Sequence, residues 1–581
     1  MRPVPLQRAL QGASEPPRRR ARRAIRPYVG AQAADVPRDR LLFLVLGLLC
    51  LFALLGGRLV WLGLQDYGGT GRAAAHDGTI SAARPDILDR TGTVMAMDIK
   101  VSSMWAEPVS VQDPGTTFER LTAVFPDLPR DRTLRKLGNR RSLFQWLRRE
   151  VTPEQEAAVM RLGLPGIHFI RESRRFYPGG RTAAHVTGHV DVDNRGIAGI
   201  EKHLDNDGLA DLQSAGFARA QLLEPVRLSI DMRVQHIVHD ALVDAVERYR
   251  AIAATGTVLD AETGEIVALV SLPDYDPNRP GEARDHLNRV TKGRFEMGST
   301  FKVFTTAMAL EAGTARLHSR WDARQPIRVQ GKRIGDFHAA RRILSTREVF
   351  VKSSNIGTVR MAQTVGPTAH RAFLEKLGLL DRLDGFELPE IAVPAEPPHR
   401  PWKPLSAATI SFGHGVATTP LQTAVAAAAM VNGGRLVPPT LMPRSRAQAD
   451  GLARRVISQR TSDKMRHLFR LNSLVGSGRR AEVPGYVVGG KTGTADKAQK
   501  GGYATRRRFN AFLSAFPLDR PRYVVLVTLD EPKPEKKGVD ATAGMNTAPT
   551  VGRIVRRAAA LLGVRPDMRV RDTGTLANYR P

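Results

Sequence analysis

Residues 41–57, LLFLVLGLLCLFALLGG, carry no charged side chain, and LVWLGL continues the apolar run after Arg58. About 20 apolar residues in succession span a bilayer. A helix that is apolar on every side has no polar face to turn to water. The stretch is therefore expected to form a single transmembrane helix, residues 41–64, and that fixes what lies on either side. It starts too far into the chain and runs too long for a cleaved signal peptide. The 40 residues before it hold ten arginines (2, 8, 18, 19, 20, 22, 23, 26, 38 and 40) against Glu15, Asp35 and Asp39. Positive-inside bias keeps such a tail in the cytoplasm and sends everything from about residue 65 across the membrane. Arg58 is expected to snorkel to the outer interface beside Trp61.

The chain has 581 residues, 42% of them hydrophobic, enough for several packed domains, and a net charge of +30. That charge is spread along the length, and no zinc-finger or RNA-recognition spacing concentrates it. Nucleic acid is therefore not the expected partner; anionic lipid or an anionic polymer suits such a surface better. The single cysteine, Cys50, excludes internal disulfides and a cysteine metal cage. His236 and His239 are helix-spaced but have no third ligand nearby, so they read as surface histidines, and no metal or cofactor is expected.

Residues 1–40 are rich in Arg, Pro and Ala and are expected to be disordered. ARPDILDRTGTVMAMDI (83–99) reads as a strand, a turn at Asp89-Arg90-Thr91-Gly92 and a second strand. Residues 115–165, including RTLRKLGNRRSLFQWLRREV, carry charge-laced helical patterns. Residues 174–205 are turn-rich and end in a short amphipathic helix. A boundary falls near Pro225, after which VRLSI predicts a strand and the residues behind it a long helix. Residues 254–273 predict a hairpin turning at Glu262-Thr263-Gly264. Mostly helical segments follow to about 435. Three strands are predicted within 485–497, 509–519 and 521–532, and a closing helix over 547–563. Strands at both ends of a helical middle suggest one antiparallel sheet assembled from distant segments, an α+β arrangement.

Within FEMGSTFKVFTTAMALEAG (295–313), Ser299 and Lys302 stand three apart at the start of an apolar helix ended by Gly313. Residues three apart share a helix face, so Lys302 can lie over a serine placed near the positive helix N-terminus. Ser-x-x-Lys alone is common, and a capping serine followed by an unrelated lysine is the blander explanation. Two further motifs weigh against it: Ser353-Ser354-Asn355 in a polar knot between helices, and Lys491-Thr492-Gly493-Thr494 on a strand. A serine hydroxyl needs a base to take its proton, and Lys302 can serve if burial and a cationic neighbour such as Lys491 keep its amine neutral. Ser353 can relay a proton to a leaving amine, while Asn355 can orient Lys302 and bind a substrate amide. The 491–494 strand offers an edge to an extended peptide, and Gly493 lets that peptide come close. Thr492 and Thr494 share a strand face and can bind a terminal carboxylate. The N–H groups of Ser299 and Thr494 suit an oxyanion hole.

Helix, loop and strand motifs in this order form the trio of penicillin-binding proteins and serine β-lactamases. From the anchor to about residue 565 the chain resembles a class B penicillin-binding protein. ARPDILDRTG resembles the opening strand of the family's pedestal domain, and residues 174–205 its link to the catalytic domain. VRLSIDMRVQ resembles the start of that domain, and SFGHGVATTPLQTAVAAAAMVNGG (411–434) its late helical part. Met297 departs from the usual proline, which concerns the approach to the helix and no catalytic group. The resemblance implies a serine transpeptidase (β-lactamase-like) domain, an antiparallel sheet flanked by helices, at 226–565. A pedestal, dimerisation-like domain at 65–225 precedes it, and a tail at 566–581 follows.

The activity implied is acyl transfer through Ser299 on D-Ala-D-Ala stem peptides, with Lys302, Ser353, Asn355 and Lys491 catalytic and Thr492, Gly493 and Thr494 binding substrate. Inhibition by β-lactams is implied, as is location in the inner membrane with the catalytic domain in the periplasm. No glycan-polymerising motif is present, so a SEDS-type glycosyltransferase, FtsW, and other divisome membrane proteins are the implied partners. The 84–87 and 191–201 runs look most like the division-specific FtsI type. The elongation-specific type, and a division scaffold whose catalysis is secondary, are the alternatives. A β-lactamase fits the anchor and pedestal poorly, and a β-lactam sensor would need more spans.

Overall fold

The structure is a computed structural model that describes residues 46–58, 83–214, 223–499, 502–536, 538–569 and 573–576. The chain divides into two compact units, residues 1–77 and 78–581. In the first, residues 46–58 are helical and expose their side chains, among them Leu46, Leu49 and Phe52. The rest of the expected 41–64 span, Trp61 and the basic tail lie outside the described residues. Among the described residues no helix is long and apolar enough to cross a membrane.

The second unit opens with a small sheet. Strand β1 (Ile87–Leu88) turns through Asp89, whose carboxylate accepts from the N–H groups of Thr91 and Thr93, into β2 (Val94–Ala106). β2 is flanked by antiparallel β3 (Gln145–Val151) and β4 (Ile167–Phe176). Helices α1 (Pro114–Thr122), α2 (Arg130–Leu137) and α3 (Pro153–Arg161) accompany the sheet. Met104, Phe118, Leu121, Phe125 and Leu137 form the core of this part. The structure corrects the helical reading of 145–151. Trp146 pairs across the ladder with Trp105, whose ring stacks on Phe144 at 4.7 Å between centroids. Cross-strand aromatic packing of this kind outweighs the helical pattern of the basic residues.

The end of this region is tied by a buried ion network. Glu201 accepts from Arg84 Nε at 2.7 Å and Arg175 Nε at 2.6 Å, with all three side chains fully buried. Arg175 also reaches Asp98, and Arg84 reaches Asp205. The short helix Gly199–Leu204, expected to be amphipathic, thus points an acid inward.

Past Pro225 the chain forms β5 (Val226–Arg227), which pairs in parallel with β1. The strand read from VRLSI therefore completes the first sheet. Helix α4 (Met232–Tyr249) follows, its Met232 N–H donating to Asp89. His236 is exposed, whereas His239 is half-buried and bonded to Asp274 at 2.6 Å, a correction to its reading as a surface histidine.

The second sheet has the order β8–β9–β10–β6–β7 and is antiparallel throughout: β6 (Ala253–Asp260), β7 (Ile266–Leu272), β8 (Gly489–Gln499), β9 (Gly502–Phe516) and β10 (Tyr523–Asp530). Every residue of β6, β7 and β10 is buried. Both faces are covered, which is why these strands read as continuous apolar runs without alternation. Helices α4 and α9 (Thr547–Ala558) pack on one face, where Val238, Leu242, Val551 and Ile554 meet Val258 and Val525. On the other lie α5 (Lys302–Glu311), α6 (Asn355–Val365), α7 (Pro420–Val431) and α8 (Gln459–Val475). The middle is less uniformly helical than expected, since two small hairpin-like ladders interrupt it: Arg320–Asp322 with Ile343–Ser345, and Ile327–Val329 with Lys332–Ile334.

Replacing Glu201 by Ala strands two buried guanidinium groups, and breaking a buried pair this way costs about 3–5 kcal/mol. Glu201→Ala is expected to lower the urea midpoint accordingly, and a midpoint equal to wild type would show the network contributes no net stability.

Candidate active site

β8 is an edge strand, and its open side lies against the 3-10 turn Gly298–Phe301 that leads into α5. Two glycines permit this contact. A Cβ on Gly298, where φ is +51°, would lie 2.8 Å from Thr494 O, and one on Gly493 would lie 2.3 Å from Met297 O. Met297 O also accepts from the hydroxyl of Thr300 at 2.8 Å, closing the turn. Met297 thus fills the proline position without disturbing the turn.

Ser299 is half-buried in this turn and Lys302 is fully buried one turn along. Lys302 Nζ donates to Ser353 O at 2.5 Å and to Ser353 Oγ at 3.1 Å. From the opposite side Lys491 Nζ donates to the same Oγ at 2.9 Å and to Thr492 O at 3.1 Å. The Ser353 hydroxyl therefore accepts from both lysines, and its own proton remains available to donate. The backbone N–H of Lys302 donates to Ser299 O within the turn, but among the described residues no side-chain hydrogen bond joins Ser299 Oγ to Lys302 Nζ.

Ser353 has φ +55°, a left-handed conformation that costs a non-glycine residue energy and persists only where the surroundings impose it. Asp336 supplies the constraint. Its carboxylate accepts from Ser354 Oγ at 2.7 Å and from Ile356 N at 3.0 Å, beside the N-terminus of α6. Ser354 caps that helix through Gly357 N. Asn355 Nδ2 donates to Gly335 O at 3.0 Å. Asn355 opens α6 and turns back to the 335–336 loop, so Ser353 holds Lys302 in the place expected for Asn355.

Thr492 Oγ1 pairs with Ser477 Oγ at 2.5 Å, and Thr494 Oγ1 accepts from Ala543 N at 3.2 Å. Asp336, Ser477 and Ala543 were not legible as site residues. Only Asp336 leaves a signal, as the lone acid between residues 323 and 347 in a run of bases.

Burial is the first cause holding the Lys302 amine well below the usual lysine range, and the charge of Lys491 is the second; Asp336 pulls weakly the other way. Burial pushes Lys491 down to about 7. The arrangement offers a neutral amine, a hydroxyl relay and a strand edge around one half-exposed serine. That is the equipment of a nucleophilic acyl transfer.

Residues 254–556 match the penicillin-binding protein transpeptidase domain, and residues 79–216 the penicillin-binding protein dimerisation domain. The chain belongs to the penicillin-binding proteins. Together the two domains give the class B architecture. The chain is 38% identical to the probable peptidoglycan D,D-transpeptidase FtsI of Caulobacter vibrioides, over 95% of this chain and 93% of that protein. It is 32% identical to the probable peptidoglycan D,D-transpeptidase PenA of Neisseria gonorrhoeae, over 91% and 93%. Identity to the peptidoglycan D,D-transpeptidase FtsI of Escherichia coli K12 is 29%, over 84% and 85%. The penicillin-binding fold thus brings Ser299, Lys302, Ser353, Lys491 and Thr494 to one place, with Asn355 at its margin.

A buried lysine with a depressed pKa binds fewer protons folded than unfolded, so its contribution to stability rises with pH between the two values. For Lys491 that window runs from about 7 to 10.5. Between pH 7 and 9 wild type should therefore gain roughly 2 kcal/mol relative to Lys491→Met. A difference in urea-derived stability that stays constant with pH would refute the depressed value.

Proposed function

We propose that this chain is a peptidoglycan D,D-transpeptidase that cross-links stem peptides during septal wall synthesis. The observation that carries the chemistry is the Ser353 hydroxyl held between Lys302 and Lys491, beside the turn bearing Ser299. Ser299 Oγ attacks the carbonyl of the penultimate D-Ala and Lys302 takes its proton. The oxyanion forms against the N–H groups of Ser299 and Thr494. As the C–N bond breaks, the proton passes through Ser353 to the departing D-alanine amine. An amine of a neighbouring stem then attacks the ester, gives up a proton along the same route and frees Ser299. Thr492 and Thr494 bind the terminal carboxylate and Asn355 a substrate amide, while Gly493, expected to let the donor come close, gives the room that the Met297 carbonyl of the turn occupies. A penicillin enters the first step and stalls at the acyl-enzyme.

The reading extends to the rest of the chain: a cytoplasmic tail (1–40), a single inner-membrane span (41–64), a pedestal (65–225), a periplasmic transpeptidase domain (226–565) and a tail (566–581). FtsW and other divisome membrane proteins are the proposed partners, supported by the FtsI-like 84–87 and 191–201 runs and by the absence of a glycan-polymerising motif.

Incubation with labelled penicillin followed by peptide mass spectrometry should find one covalent adduct, on Ser299. Lys302→Ala should slow its formation about 100-fold to 10,000-fold with the fold intact. An adduct elsewhere, or an unchanged rate in the variant, would remove the catalytic assignment.

Division is tested separately. A fluorescent fusion should gather at the septum late in the cell cycle, and depletion should block septation. Depleted cells that round up yet keep dividing would assign the chain to elongation.

A further inference from the structure

The run SFGHG (411–415) takes part in no step derived above, yet it is built against the turn that bears Ser299. Its start is tied to α5, where the Thr305 hydroxyl donates to Ser411 O at 2.8 Å. Just beyond it, Thr418 bridges antiparallel to Phe295, the two exchanging N–H to O bonds of 3.0 and 3.1 Å. Between these ties Gly298 N donates to Gly413 O at 3.2 Å, and Gly415 N donates to the Glu296 carboxylate at 2.8 Å. Gly413, at φ +86°, comes so close that a Cβ there would lie 2.0 Å from Gly298 O. Ser299 and His414 each stand one residue from this contact.

The His414 ring is half-buried and tilted at 54° to Phe412, with 5.3 Å between centroids. Lys302 of α5 and Asp496 of β8 both act on it electrostatically. The other charged neighbours are Glu296, already described, and Arg508 of β9, which lies 3.7 Å from the Asp496 carboxylate. Burial is the first cause holding the imidazole below its usual range and the Lys302 charge the second. Asp496 and a hydrogen bond to the Phe412 backbone pull the other way. At neutral pH a neutral imidazole therefore stands near a carboxylate that is 54% exposed.

Proton counting gives such a base a task. An alkyl amine titrates at about pH 10, so an acceptor arrives as an ammonium with one proton more than the form that attacks. As its nitrogen bonds to the acyl carbon and the C–Oγ bond breaks, a second proton is released. The route through Ser353 and Lys302 carries that second proton back to Ser299 Oγ and has no place for the first. Both lysines are fully buried, whereas His414 is open enough to hand a proton to water. Asp496 would draw the ammonium in and steady the imidazolium that forms.

We propose that His414 is the base of the acceptor half-reaction, taking one proton from the incoming ammonium and passing it to water before the neutral amine attacks the ester. The proposal rests on the transpeptidase reading above and assigns a further residue to its second step.

An N-acyl-D-alanyl thioester tests it on the full chain in detergent. Thiol release reports acylation of Ser299, and a stem tripeptide with a free meso-diaminopimelate side-chain amine then takes the acyl group. The readout is the rate constant for amide formation from the preformed acyl-enzyme, followed against pH. In wild type it should stay within about twofold between about pH 7 and 9. His414→Gln should lower it about 1,000-fold at about pH 7, and the loss should shrink about tenfold per pH unit until it vanishes near the acceptor's own pKa of about 10. An unchanged rate overturns the role of His414. So does a loss of the same size at every pH, which a displaced loop alone would produce. Asp496→Asn, on an exposed side chain, serves should the first variant not fold. It removes the anion that favours the imidazolium, so the acid limb of the profile should move to lower pH, and an unmoved limb counts against the proposal equally. Failure of wild type to release thiol overturns the underlying activity instead.

Discussion

Two lysine side chains buried against one serine hydroxyl set the terms for the rest of the catalytic half. Taking an amine out of water disfavours its charged form, and placing two together disfavours it further. A protein that tolerates this must hold both lysines rigidly, and each is held by a different element. Lys302 begins α5, Lys491 lies on β8, and Ser353 sits at the left-handed residue between α6 and the helix before it. The glycine contacts between the 298–301 turn and β8 bring the first two into register. Asp336 keeps the third in a conformation it would not choose alone. Removing the sheet, the turn or the 335–336 loop would release one corner of the triangle.

Much of this geometry could be read before any coordinates. The 254–273 hairpin and the three late strands are long apolar segments with turn residues between them, and such segments leave little choice. The trio of motifs named the reacting side chains because their chemistry restricts which residues can do the work. Interactions between distant segments were less legible. Residues 145–151 carry the bases of a helix surface, and only the Trp105–Trp146 pairing reveals a strand. Nothing local marks Val226–Arg227 as the partner of Ile87–Leu88. The direction of the Asn355 amide depends on a carbonyl 20 residues away, at Gly335.

The Arg84–Glu201–Arg175 network shows the same limit from the other side. Each residue taken alone looks like part of an ordinary solvated, charge-rich sequence. Only after the chain has returned do an acid and two bases meet with all three side chains out of water. Such a network adds less stability than its count of bonds suggests, because desolvation offsets most of the attraction. What it does impose is a single arrangement of three segments, the first of which, at Arg84, lies 117 residues before Glu201.

The parallel pairing of Val226–Arg227 with Ile87–Leu88, together with the bond from Met232 N to Asp89, has a consequence for how such genes can change. A catalytic half copied or exchanged from Pro225 onward would arrive with an unpaired strand. Its first long helix would also lack the acceptor for an N-terminal N–H. Recombination between relatives is therefore least disruptive when the 87–89 segment travels with the helix it supports. The unit of inheritance is larger than the unit of catalysis.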